Sequence, residues 1–423
     1  MLPAAEFVKI AIDHVRDGRR VNFRAKQQRR FDLYTGHFLP HIIARLKTLC
    51  PETWDQFQPL WVNIYRKVID RRSGVFYKDP PVRTYVNGDG QPVSPAVLAK
   101  IEAALPGRQF SRIMDKAARY LESHRTIAVA AVWRHERVKC DILAPMHFDL
   151  VPGYPDPSVA EDADAFVHIR NGDFVVWTRH ADTLKGAAPS FFVVNDKAKI
   201  VQSTDNPYVV PGEGFVYPFA VLQYEDPDCD AFISGGEEIV EAALHVAFTL
   251  TDDAFIQRFQ SFGQPVFRGV TNEVAKTLIL SPSEGIGLPD PSMDLEYKSP
   301  GNSPEQRMTA LQNFLTVFAS SVDLPADVFV PNSQIPESGI AKRIASVALT
   351  EYRQRFAERL SFHERAVFNI VRAVYNTHAA PADRIPWDVE LNTRHAPVTL
   401  FFDALEADAR TKERVANNLE TWQ

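Results

Sequence analysis

Cysteine is scarce: Cys50, Cys140 and Cys229 are the only three in 423 residues. Their odd number and wide spacing exclude a disulfide framework and a CxxC site, and a reducing compartment fits best. Long apolar runs are missing as well. No stretch approaches eighteen apolar residues, so no transmembrane helix is expected. The start, Met1 to Lys9, lacks the basic opening and apolar core of a secretory signal. There is no large excess of positive charge. The net charge of −6 argues against a protein that grips nucleic acid over its whole surface. No internal repeat or low-complexity tract occurs.

The motifs of common enzyme classes are absent too. No GxxxxGK[ST] phosphate loop is present. His363-Glu364 opens like a zinc-protease helix, but Val367 takes the second histidine position, and Lys139 does so after His135-Glu136. Gly285-Ile286-Gly287 starts like a dinucleotide loop and lacks the third glycine, while Pro289 blocks the following helix. His147 and Asp149, with His168 or His180, are the one candidate metal set. Histidines in a β-rich region ordinarily serve the core or the surface, and no metal or cofactor is expected. No nucleophile-and-base spacing stands out, and no enzyme activity is expected.

What the sequence does have is a helical run from Ser338 to about Thr377, free of Pro and Gly after Gly339. Unbroken, it would span roughly 60 Å. Apolar residues recur at Ile340, Ile344, Ala348, Tyr352, Phe356, Leu360, Val367, Val371 and Val374, which makes one buried stripe along a rod. Ser338 is the expected N-cap. Glu351 and Arg355 form an i,i+4 pair on the solvent side. A rod this long either organises a large domain or meets copies of itself.

Residues 1 to about 130 read as mostly helical. From Ala128 to Ala231 short Val-, Ile-, Phe- and Trp-rich runs alternate with turns, giving an antiparallel β region. Expected strands are Phe166–Ile169, Phe174–Thr178, Phe191–Val194 and Phe215–Leu222, with a hairpin turn at Asn171-Gly172-Asp173. Gly235-Gly236 opens a helix from Glu237 to Phe262, whose acidic first turn suits the helix dipole. Candidate strands follow at Pro265–Val270, Thr277–Ser281 and Met293–Tyr297. Pro304, capped by Ser303, starts a helix to about Val322. A proline-bounded loop, Asp323 to Glu337, leads into the rod. A strand at Trp387–Leu391 and a short helix from about Val398 close the chain. The class is α+β.

One charge cluster stands out: Arg16, Arg19, Arg20, Arg24, Lys26, Arg29 and Arg30, opposed only by Asp17. It reads as a phosphate or DNA patch, as an intersubunit contact, or as a partner for acidic neighbours.

Gly235-Gly236-Glu237-Glu238-Ile239, through Phe248-Thr249-Leu250-Thr251, to Gln260-Ser261-Phe262-Gly263-Gln264-Pro265-Val266-Phe267-Arg268-Gly269 resembles the portal proteins of tailed bacteriophages. So do Asn206-Pro207-Tyr208, Val216-Tyr217-Pro218-Phe219, Asn63 to Asp70 with Lys78-Asp79-Pro80-Pro81, Val322-Asp323-Leu324-Pro325, and Glu337-Ser338-Gly339-Ile340-Ala341. The matches span roughly residues 60–380, and their order is more specific than any one of them.

The resemblance implies a portal-type fold and a ring of twelve copies at a unique capsid vertex. Such a ring is the channel for DNA packaging and ejection and the head-to-tail connector. Implied partners are double-stranded DNA, the terminase, a head–tail adaptor, and the major capsid and scaffolding proteins, with no membrane. Implied location is the virion, after assembly in the bacterial host cytoplasm. By position, residues 1–235 would be wing, 236–262 the first stem helix, 263–299 a small α/β clip, and 300–322 the second stem helix. Residues 323–337 would be the tunnel loop, 338–378 the long wing helix, and 379–423 the last wing segment and a small crown. Asp323, Asp327, Asn332, Ser333, Gln334 and Glu337 would then face the DNA. That loop has three acids and no Lys or Arg, which suits a low-friction contact, since each fixed cation on phosphate adds affinity and drag. Arg268, Glu273, Lys276, Glu284 and Asp290 would form the clip surface for terminase and adaptor. Two readings of other classes stay open: a nucleic-acid-processing enzyme using the basic N-terminal region, and an oligomeric scaffold protein other than a portal.

Overall fold

The computed structural model describes residues 4–76, 80–152, 159–160, 163–170, 172–178, 190–228, 230–260, 264–268, 294–298, 304–330 and 346–395. The N-terminal third is helical, as its periodicity demands: α1 (Ala4–Arg16), α2 (Gly18–Thr35), α3 (Leu39–Leu49), α4 (Ile64–Arg72), α5 (Pro95–Ala104) and α6 (Gly107–His124). Asp17 caps α2, Asn63 caps α4 and Ser94 caps α5, each accepting a backbone N–H of the first turn. A strand, β1 (Val82–Val86), interrupts the helices. It pairs antiparallel with β14 (Glu390–Arg394), with Val82 opposite Arg394. The sequence reading missed β1, whose ladder partner lies at the far end of the chain. It placed the partner strand at Trp387–Leu391.

The middle of the chain builds two antiparallel sheets. β2 (Thr126–Arg134), β3 (Arg137–Leu143) and β11 (Phe219–Gln223) form one in the order β11-β2-β3. β4 (Phe148–Val151), β5 (Ala165–Arg170), β6 (Asp173–Thr178), β7 (Ser190–Val194) and β8 (Ile200–Asp205) form the other as a meander. Alternate residues of β5 face opposite ways, as strand geometry requires. Ala165 and Val167 pack on Phe7, Val8, Ala11 and Ile12 of α1, whereas Phe166 packs on Phe148, Tyr217 and Phe232. The single strand expected over Phe215–Leu222 divides into β10 (Gly214–Phe215), paired with β9 (Val209–Val210), and β11. Pro218, which has no N–H for a ladder, stands between them.

Next come α7 (Glu237–Gln260), the ribbon β12 (Gln264–Arg268) with β13 (Asp294–Lys298), α8 (Pro304–Ser321) and α9 (Val347–His378). Most of the first half of α7 is apolar, and Ile239, Val240, Ala243, Leu244, Val246 and Ala247 are buried, while Glu238, Glu241 and His245 are exposed. The rod expected from Ser338 is described from Val347. Its expected cap, Ser338, and the stripe residues Ile340 and Ile344 lie outside the described residues. Tyr352, Phe356, Leu360, Val367, Val371 and Val374 are buried as the spacing predicts, but Leu349 is buried in place of Ala348. The stripe packs on β2, β11 and β14. The segments expected as a strand at Thr277–Ser281 and as a helix from Val398 lie outside the described residues.

Two buried polar contacts fix α9 against the sheets. Glu364, fully buried, accepts two 2.7 Å hydrogen bonds from Arg83 of β1 and one of 2.8 Å from Thr393 of β14. His363 Nε2 lies 2.8 Å from the Gln223 carbonyl, which requires the Nε2–H tautomer. The sequence pair that mimics a zinc motif therefore serves packing.

Glu364→Ala leaves Arg83 buried without its carboxylate, so it is expected to cost about 3–5 kcal/mol in urea unfolding. Arg83→Met with Glu364→Leu should recover most of that loss. An unchanged midpoint for Glu364→Ala contradicts the assignment. Acid sensitivity follows from the buried histidines. Burial pushes the His363 imidazole down to about 4, against a rise from the Gln223 carbonyl. Burial, then Arg30 and His147, push His124 down to about 3. Both stay neutral in the folded chain, while the unfolded chain binds their protons from about pH 6.5 downward. Stability is therefore full above pH 6.5 and falls as pH drops toward 4. His363→Gln, which keeps a donor, should flatten the slope of unfolding free energy against pH by up to one proton in that window. An identical slope overturns the assignment.

Candidate DNA-channel segment and the cluster that holds it

The helices α7 and α8 lie antiparallel. Asp253 accepts from Arg307 at 2.6 Å near one end, and the His245 and Phe314 rings are 4.7 Å apart nearer the other. The β12–β13 ribbon lies between these helices in the chain. Arg268, a candidate clip residue, is exposed on β12 and pairs with Glu296 on β13 at 3.1 Å. Glu273, Lys276, Glu284 and Asp290 lie outside the described residues.

α8 ends in a left-handed turn. Asp323 has φ +57°, its N–H donates to Ser320 O at 3.3 Å, and Leu324 N–H donates to Ala319 O at 2.9 Å. This bond pair is a Schellman cap, for which glycine is the usual residue and Asp a tolerated one. Pro325 then caps a 3-10 turn at Ala326–Val328. Asp327 is exposed and Asp323 half-buried. The other candidate tunnel residues, Asn332, Ser333, Gln334 and Glu337, lie outside the described residues. α4 grips this segment from below. Lys67 donates to the Val328 carbonyl, and its ammonium stands 5.5 Å over the Phe329 ring. Arg72 Nη1 reaches the Val322 carbonyl at 3.4 Å.

Arg72 belongs to a buried cluster. Its Nε is 3.0 Å from Glu122 Oε1, and Arg125 Nη1 is 3.7 Å from the same oxygen. Neither contact is aligned as a hydrogen bond, so both act by charge. Tyr352 of α9 donates to Glu122 Oε2 and accepts from the Tyr224 hydroxyl at 2.7 Å. Arg72 also covers the Tyr352 ring at 4.1 Å, and Arg125 covers Tyr224 at 3.9 Å. Burial is the largest single effect and lowers both guanidinium pKa values, but Glu122, Tyr352 and Tyr224 together outweigh it, and each ends above its ordinary value. Burial and then Glu122 push the Tyr352 hydroxyl well up. Arg72 and Arg125 thus stay charged and Tyr352 neutral across any ordinary pH. The cluster joins α4, α6, the residue after β11, the end of α8 and α9 at one point.

Most of the basic run meets carboxylates of its own chain. Arg24 pairs with Asp149 at 2.8 Å, Arg20 with Asp230 at 3.0 Å, Arg29 with Glu241 at 2.9 Å, and Arg30 with Glu237 at 2.9 Å. Arg30 is buried and also donates to the carbonyls of Ser123 and Gly235, so it pins the start of α7 to α6. Gly235 and Gly236 there have φ of +113° and +80°, a conformation that favours glycine. Arg16 donates to the Asp196 carbonyl and stays exposed, as do Arg19 and Lys26. Asp149 is held by Arg24, Arg20 and His14. Burial raises its pKa, and Arg20, His14 and Arg24 oppose the rise. Among the described residues no group of three His, Cys, Asp or Glu could hold a metal. No described helix is long and apolar enough to cross a membrane.

The sequence reading missed Glu122, Arg72, Arg125, Tyr224 and Tyr352 as a unit. A signal was available. Arg72 follows Val68 and Ile69 by four and three residues, and Glu122 follows Ala118 by four, so both charges sit on apolar helix stripes.

Asp323→Gly should leave stability unchanged or slightly raised, while Asp323→Val, β-branched at positive φ, should lose about 1–2 kcal/mol in chemical denaturation. Equal stability of the two variants contradicts the left-handed cap.

No family model matches the chain, and no curated protein matches it. Solved structures do. One is a chain in the virion of a native gene transfer agent particle, 10% identical, with a TM-score of 0.45 over 85% of this chain and 86% of that one. Another lies in the neck of an empty gene transfer agent particle, 11% identical, with a TM-score of 0.42 over 83% and 84% of the two chains.

Proposed function

We propose that the chain is the subunit of a portal ring at one vertex of a phage-type capsid, through which double-stranded DNA is packaged and ejected. The carrying observation is an order of elements: an apolar helix, a two-stranded ribbon, an antiparallel return helix, a segment without Lys or Arg, and a long helix across the sheets. In this reading α7 and α8 are the stem and the ribbon belongs to the clip. Residues 323–337 form the tunnel loop, and α9 crosses the wing. The loop offers DNA acids and amides and no fixed cation, so phosphate passes without counterion-release affinity. The clip, through Arg268 and the segment that includes Glu273, Lys276, Glu284 and Asp290, docks terminase and then the adaptor. The protein does no chemistry; a separate motor supplies the work.

A nucleic-acid enzyme built on the basic run is less well supported. Arg20, Arg24, Arg29 and Arg30 are each engaged by a carboxylate of the same chain, so they work as internal fasteners.

The purified chain is expected to form closed rings of about twelve copies, seen end-on in negative stain and with the matching mass by light scattering. A stable monomer under all conditions sinks the reading, whereas a ring with one copy more or fewer does not.

A further inference from the structure

Three consecutive apolar residues before α4, Leu60, Trp61 and Val62, are 43%, 38% and 53% exposed. Such a run on a surface calls for a covering partner. The strip is fixed in place. The Leu60 N–H donates to Thr251 Oγ1 of α7 at 3.0 Å, and the same hydroxyl stands 3.3 Å from the Leu60 carbonyl. Trp61 stacks on Phe38 with ring centroids 6.3 Å apart. The adjoining α3 carries Arg45 and Lys47 and no carboxylate. Both cations lie over aromatic rings, Phe248 and Trp54.

A second uncovered apolar surface lies between α7 and α8. It is a groove of about 340 Å³ lined by Ala242, His245, Phe314, Val317 and Phe318, with Glu238 and Glu241 at its rim, the latter also paired with Arg29. Val317 is 70% exposed. Glu238, Glu241 and Ala242 follow one line along α7. Thr251, which holds the strip, lies roughly 130° away from the middle of that line around the helix axis. The two surfaces therefore face different ways and cannot cover each other within one chain. One is apolar with a basic flank, the other apolar with an acidic rim. A contact between them uses unlike patches, so it passes from copy to copy and closes only as a ring.

We propose that the Leu60–Val62 strip of one copy seats in the α7–α8 groove of the next, with α3 beside the acidic rim. This contact rests on the ring reading and names the residues that join neighbours. The test is mass measurement on Trp61→Asp and Val317→Asp, alone and mixed. Each alone is expected to be monomeric where the parent chain forms rings, with at least about a hundredfold weaker association. An equal mixture should give a one-to-one heterodimer and nothing larger, because one intact strip then meets one intact groove. Formation of that heterodimer also shows that both variants fold. Trp61→Ala and Val317→Ala, with parental circular dichroism, should dissociate on milder dilution. Parental assembly by all four variants overturns the contact and leaves the ring reading standing. Folded variants that stay monomeric when mixed also overturn it. A monomeric parent chain overturns the ring reading itself.

Discussion

The fold turns on one buried carboxylate. Glu122 has no exposure to solvent and is shared by Arg72, Arg125 and Tyr352, which come from different parts of the chain. Removing a charge from water is costly, and a buried ion cluster is weak evidence for net stability. Its value lies in geometry. Apolar cores accept small shifts between helices, whereas a buried carboxylate with two guanidinium partners accepts few. Here it sets where α4, α6 and α9 cross and, through Arg72 and the Val322 carbonyl, where α8 must stop.

That placement bears on the segment after α8. From one helix, α4, Lys67 and Arg72 hold both ends of residues 322–328. Lys67 and Arg72 are thereby engaged by protein carbonyls and, for Arg72, by Glu122, and the segment they hold carries Asp323 and Asp327. A conduit needs this division: rigid charge in the frame, and little positive charge where DNA slides. The basic run of α2 follows the same logic, with Arg30 tying the start of α7 to α6.

Much of the architecture was legible in the sequence, because periodicity and punctuation are local signals. The bounds of α7 and α8 follow from Gly235-Gly236, the acidic first turn and Pro304. The buried stripe of α9 follows from its spacing. What escaped was non-local. β1 pairs with β14 across almost the whole chain, and no local pattern names a ladder partner so distant. Pro218 split an expected strand whose composition alone looks continuous. His363-Glu364 could be excluded as a zinc motif, but its use as anchors to Gln223 and Arg83 depends on the fold. From sequence the basic run fits a DNA or subunit contact, or a partner for acids. The acids turned out to be Asp149, Asp230, Glu237 and Glu241, more than a hundred residues away.

A portal ring requires the segment after α8 to line the passage at its centre. A cryo-electron microscopy reconstruction of the assembled protein should show a closed ring with residues 323–337 facing the axis, an opening wide enough for duplex DNA, and the β12–β13 ribbon at one end. An assembly that places those residues on its outer surface, or that does not close, contradicts the portal reading.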